Sequence, residues 1–461
     1  MYLVTRAPRP RYKFHVVRQI QVRPLTITRT RDNVIFDMST NQPHPLGTLR
    51  VLERRAPSAP GLDDLPQEVT RVLEGLALPA GTWRDKRIAI AIGSRGIANI
   101  DILARELCHW LKSQGARPVI FPAMGSHGGA TAEGQKRVLV QYGLTPDFLG
   151  VDVLSSMETV SVGATPEGFK VFIDHLAWES DGVVLLNRVK PHTDFSGKIE
   201  SGMLKMIAVG MGKAEGALEC HHWSWKFGFE TAIRAMSAKV LASGKILAGV
   251  AVVENEFHQV ALLRAAGAAG IAAMDEACLE IARPLVARIP FPKLDLLIVE
   301  ELGKNISGTG LDTKIVGRGV ELQPGEAPHF RLIYVRDLTA ESGGNALGVG
   351  LADAIHERLY HKIDLQKMYA NARTSMNPPM PRIPIFFPSD QQALAWLLGA
   401  LGSPEPAVQR VAWIRNTLNL NRIAISELLA QGAAAFPAWQ LLPEPFAPSF
   451  DDHGDLLPAP L

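Results

Sequence analysis

The stretch RIAIAIGSRGIANIDILARELCHWLKSQGARPVIFPAMGSHGGAT, residues 87–131, sets out the plan of the chain. Arg87–Ile92 is a short apolar run that empties into Gly93-Ser94-Arg95-Gly96, and Ile100–Gln114 follows with the apolar spacing of an amphipathic helix. Arg117–Ala123 is the next such run; it empties into Met124–Thr131, and a helix is expected from about Ala132 to Tyr142. Further along, Asp181–Asn187, Ile246–Glu254 and Leu294–Glu301 repeat the pattern. Apolar strands alternating with helices predict an α/β fold: mostly parallel sheets flanked by helices on both faces. In such sheets ligands sit beyond the carboxyl ends of the strands, which is where each glycine-rich turn falls.

The whole-chain balance narrows the function classes. With 461 residues, 47% of them hydrophobic, the chain can bury a core without disulfides. Lys and Arg number 48 against 46 Asp and Glu, a net charge of +2, which argues against a general nucleic-acid surface. The exception is the basic opening, Arg6 to Arg31, read as a solvated or partner-contacting arm. Cys108, Cys220 and Cys278 are scattered and form no C-x-x-C, as expected of a reduced, cytoplasmic protein. No signal peptide is read at the N-terminus, and no apolar run is long enough for a bilayer.

Proline-rich breaks suggest the organisation. An N-terminal arm over 1–60 precedes a catalytic domain over 61–290, which ends near Pro284–Lys293. A second α/β domain over 291–400 would act as a lid with the active site in the interdomain cleft. The segment 401–461 is expected to hold a late strand and helix at Val411–Leu429 and to pack back on the first domain. Its tail from Ala435, rich in Pro and Asp, is expected to meander over the surface.

Chemistry-bearing residues concentrate in NRVKPHTDFSGKIESGMLKMIAVGMGKAEGALECHH, residues 187–222. Lys190, His192, Asp194, Lys198, Glu200, Lys205, Lys213, His221 and His222 are interleaved with five glycines, a mixture that suits loops held close to a ligand. A protein-only zinc site finds little support, since there is no H-x-x-x-H and no Cys pair, and His192 lies far from His221. The turn Gly125–Thr131 could cradle an anion with its backbone N–H groups, but it is not a P-loop. Lys198 and Glu200 are close enough in sequence to pair with each other.

Taken together, Gly93–Gly96, Met124–Thr131, Asn187–Phe195, Glu200–Met206 and Gly303–Gly310 (GKNISGTG) resemble the lactate racemase-like superfamily of nickel-pincer-dependent racemases and epimerases. The similarity is to a branch distinct from lactate racemase itself: Gly93-Ser94-Arg95-Gly96 stands where that enzyme has an Asp-x-Thr-Arg-Pro motif. The resemblance implies a racemase or epimerase of a 2-hydroxy acid. It also implies a nickel-pincer nucleotide, pyridinium-3-thioamide-5-thiocarboxylate mononucleotide with Ni, loaded by separate biosynthetic enzymes.

Carried residue by residue, the resemblance makes Lys205 the covalent attachment point and His221 the nickel ligand, with His222 as fallback. His127 and His192 match the two general bases that serve opposite faces of the substrate carbon. Ser94, Arg95, Ser126, Gly128, Thr193 and Phe195 fall at cofactor-contacting positions, and Arg95 also matches a substrate-holding arginine. A second substrate cation is expected from the later domain, Lys304 or alternatively Lys314. Two other readings stay open from the residues alone. One is a cofactor-free racemase using two bases; the other is a non-catalytic anion-binding protein of the same fold.

Overall fold

The computed structural model describes residues 28–30, 33–35, 45–94, 96–319, 328–402 and 409–461. Arg95 and most of the basic opening stretch therefore lie outside the described residues. The chain divides into two compact units, Met1–Pro43 and His44–Leu461. In the first, Thr28–Thr30 (β1) pairs antiparallel with Asn33–Ile35 (β2).

The second unit is α/β and holds two large sheets. Its strands begin with Leu49–Arg54 (β3), whose partners come from the far end of the chain. Arg87–Ile92 (β4) and Arg117–Pro122 (β5) follow, then a small hairpin of Thr159–Ala164 (β6) and Lys170–Asp174 (β7). Gly182–Arg188 (β8), Ile246–Glu254 (β9) and Val260–Gly267 (β10) complete a five-stranded sheet in the order β10-β9-β8-β4-β5. All its pairings are parallel except that of β10 with β9.

The period-2 alternation of a strand explains how this sheet is covered. Ile88, Ile90 and Ile92 enter a core shared with Leu103, Leu107 and Leu111 of the helix Ile100–Ser113. Ala89 and Ala91 face the other way, toward Met203, Ile207, Ile233 and Met236. Each fully buried isoleucine contributes roughly 1.5–3 kcal/mol of transfer free energy. The small alanines leave room on their face for the chemistry-rich segment to pack close to the sheet.

Lys293–Leu302 (β11), His329–Leu338 (β12), Ala354–His356 (β13), Ile385–Phe387 (β14), Val411–Ile414 (β15), Arg422–Ser426 (β16) and Trp439–Phe446 (β17) join β3 in the second sheet. The order is β14-β13-β12-β11-β15-β16-β3-β17, parallel from β14 to β15 and antiparallel beyond. Two expectations are corrected here. Residues 49–54, assigned to an arm, form an interior strand between β16 and β17. The segment 401–461, expected to pack back on the first domain, builds one side of the second sheet: Ala412, Ile414, Ile423 and Trp439 share its core. The tail taken for a surface meander supplies β17, an edge strand whose prolines Pro443 and Pro445 need donate nothing outward.

Candidate active site

Three neighbouring strands, β8, β4 and β5, deliver their carboxyl ends side by side. The turn after central β4 carries Ser94, the loop after β5 carries Ser126, His127 and Gly128, and the loop after β8 carries Lys190 and His192. His127 is tied back to the middle turn, with its Nδ1 2.5 Å from Ser94 Oγ. Gly128 has φ +64°, and a Cβ there would lie 2.6 Å from the backbone N of Gln135, so the loop can pass this close to the following helix only without a side chain. Ser126 is half-buried beside it.

The β8 loop folds His192 onto an aromatic stack. Its ring lies 4.6 Å from that of Phe195, Phe195 stacks on Phe229 at 4.9 Å, and His221 meets Phe229 edge-on at 5.4 Å. His192 Nδ1 accepts the Asp194 N–H at 3.0 Å, and Nε2 meets Lys205 Nζ. The helix Lys213–Phe227 presents His221, whose Nδ1 is 2.7 Å from the Ala217 carbonyl. Donation to that carbonyl fixes the proton on Nδ1 and leaves Nε2 with its lone pair. Burial pushes the His221 pKa down, and the Lys205 ammonium adds to this, so the ring is neutral at neutral pH. His222, one residue on and about 100° round the helix, is exposed, with its ring against Trp223.

Lys205 ends the short helix Met203–Lys205, which continues as one π-helical turn, Met206–Gly210. Such turns are uncommon and often mark functional segments. The helix start is capped from outside: the Asp275 carboxylate accepts the N–H groups of Met203 at 2.9 Å and Leu204 at 3.0 Å. A Cβ on Gly202 would sit 1.9 Å from Asp275 Oδ1, so only glycine admits this cap. Burial raises the Asp275 carboxyl to about 6. Between its ordinary value near 4 and about 6, the folded chain holds a proton that the unfolded chain has released. The group's contribution to stability is thus complete below that window and is lost as pH rises through it, on the order of 3 kcal/mol. Urea unfolding across that range should show this slope in the wild type and a flatter profile in Asp275→Asn; identical slopes would contradict the assignment.

The second sheet reaches the same loops. Glu200 is 2% exposed and meets Lys314 Nζ at 2.5 Å and Arg283 at 3.0 Å, while its carboxylate also accepts the His192 N–H at 2.6 Å. The expected partnership with Lys198 does not form; the Lys198 N–H donates to Glu230 instead. The Thr313 hydroxyl donates to the Thr193 carbonyl, so buried Thr193 acts through its backbone. Lys304 Nζ donates to the Gly308 carbonyl of its own loop, and its N–H donates to Ser342 Oγ at 2.9 Å. Of the two lysines, Lys314 is the one tied through Glu200 to the His192 loop.

Among the described residues, His356, Asp390 and Asp455 are the group of His and carboxylate side chains close enough together to share an ion. Arg336 and Arg358 already pair with those carboxylates, so the cluster reads as a buried ionic network that pins the C-terminal tail. Phe229, Asp275 and Gln135 escaped the sequence reading. Asp275 left one signal: it occupies an apolar-stripe position between Ile271 and Leu279 in its helix.

Residues 56–226 match the family model of the lactate racemase N-terminal domain. This segment, somewhat over a third of the chain, is thus similar to the N-terminal domain of lactate racemase. Among solved structures it is similar to a lactate racemase apoprotein from Thermoanaerobacterium thermosaccharolyticum, at 16% identity over 85% of this chain and 98% of that one, with a TM-score of 0.48. No curated protein matches the chain. That match supports racemase- or epimerase-type chemistry in general terms. Among the described residues, no helix is long and apolar enough to cross a membrane.

Proposed function

We propose that the chain is a 2-hydroxy acid racemase or epimerase that works with a nickel-pincer nucleotide tethered to Lys205. The observation that carries this reading is the meeting of Lys205, His192 and His221 around the Phe195–Phe229 stack, with His127 on a loop across β4 from His192. The residues fit the cofactor. Lys205 offers an amine at the mouth of the sheet, and half-buried His221 offers a neutral imidazole Nε2 whose tautomer is held from behind. When bound, the pincer nucleotide would supply reversible hydride acceptance from the substrate carbon.

His127 and His192 stand on loops that flank the β4 turn, so each would handle the hydroxyl proton from one side of the substrate. The Ser94 hydroxyl and the Asp194 N–H hold one nitrogen of each ring, which sets ring orientation. Arg95 and Lys314 would hold the substrate carboxylate, a task suited to paired cations, with Lys304 as the other candidate. The aromatic stack would exclude water from the reacting carbon. Loading would fall to separate biosynthetic enzymes in the cytoplasm, where the buried thiols of Cys108, Cys220 and Cys278 would stay reduced.

The direct contact of Lys205 with His192 favours a second reading, a cofactor-free racemase that exchanges the α-proton. Turnover in D₂O separates the two. A 2-hydroxy acid inverted by hydride transfer keeps protium on its carbon; wash-in of deuterium at every turnover would support proton exchange and contradict the pincer reading.

A further inference from the structure

Behind the His127 loop runs a buried polar chain that the proposed chemistry does not use. Lys213 opens the helix that carries His221; it is 0% exposed, and its backbone is left-handed at φ +53°, unfavourable for a residue with a Cβ. Its ammonium meets the Pro122 carbonyl at 2.5 Å, Gln135 Oε1 at 2.9 Å and Asp174 Oδ2 at 2.8 Å. Gln135, also 0% exposed, turns its amide N–H groups onto the carbonyls of Gly125 at 2.8 Å and His127 at 3.3 Å. From the other side, the Gly125 N–H donates to the Gly210 carbonyl at 2.9 Å, just past Lys205.

Such an arrangement is costly. Burial pushes the Lys213 pKa down and the Asp174 pKa up, and well-packed apolar residues would fill the same space at least as stably. The polar atoms are instead directed at the backbone that leads into and out of His127. Pro122 ends β5, Gly125 and His127 lie on the loop that follows, and Lys213 heads the helix bearing His221.

We propose that Lys213 and Gln135 are positioning residues for His127, locking the 125–129 loop so that the imidazole stays on Ser94 Oγ at a set distance from the His221 helix. The proposal rests on the reading of His127 as a base. An amide side chain that both accepts from Lys213 and donates twice to the loop fits this task better than any apolar filler.

The test uses the full chain labelled with ¹⁵N-histidine, its His127 imidazole signals assigned by loss in His127→Gln. Two variants are compared with wild type. Gln135→Glu keeps size and the Lys213 contact but removes the donors; Lys213→Met with Asp174→Asn removes the ion pair without stranding a buried charge. The expected result is a single His127 tautomer in wild type and exchange between both in each variant, with His192 and His221 unchanged. On a 2-hydroxy acid that is turned over, kcat should fall about 10-fold or more while KM stays within about two-fold. A single His127 tautomer in folded variants, equal changes at all three histidines, or loss of the fold in both variants would overturn the proposal. Full activity in His127→Gln would instead sink the base reading, and that result is seen separately from the tautomer measurement.

Discussion

Replacing Lys205 by arginine is expected to abolish racemisation, by at least about 10⁴-fold, while leaving the chain folded. Arginine keeps the positive charge beside His192, so a purely electrostatic role for Lys205 would survive the change. A guanidinium cannot form the amide-type link that an amine forms, so a covalent role would not. Lys205 is half-buried at the end of a three-residue helix whose start is held by Asp275, and that cap does not involve its side chain. Thermal melts should therefore match wild type. Substantial activity in Lys205→Arg would contradict the tethering role.

Glu200→Ala is expected to cost about 3–5 kcal/mol of stability, the usual range for removing one member of a buried ionic group. The loss strands two cations, Lys314 and Arg283, and removes the acceptor of the His192 N–H. Glu200→Gln keeps an acceptor for that N–H but not the charge, and should cost about half as much. Because Glu200 joins the His192 loop to Lys314, on the short helix Thr313–Val316 beyond β11, both variants should also weaken substrate binding. Equilibrium unfolding in urea gives the first quantity directly; a change under about 1 kcal/mol in Glu200→Ala would mean the ion pairs are solvent-screened and carry little.

The alternation of apolar runs with glycine-rich turns made the first sheet readable, because β4, β5 and β8 are short, apolar and each followed by helices. Strands β3 and β17 were not readable in the same way. They pair across nearly the whole chain, and β17 carries two prolines that read as a break unless the strand lies on an edge. The site followed the same division. His127, His192, Lys205 and His221 sit in dense motifs close in sequence, whereas the groups that hold them come from elsewhere: Asp275 from a later helix, Phe229 from beyond the motif and Gln135 from behind the loop. A side chain that acts by touching a distant backbone leaves little mark on its own neighbourhood. Glu200 shows the same limit, since its sequence neighbour Lys198 is not its partner.

The account turns on whether Lys205 carries the cofactor. The direct measurement is intact mass with peptide mapping and metal content on the full chain, co-produced with the pincer-cofactor biosynthetic enzymes. The account predicts an added mass that maps to Lys205, one nickel per chain, and loss of that mass in Lys205→Arg. An unmodified Lys205 with no nickel, in cells where the same enzymes load a control racemase, would contradict it.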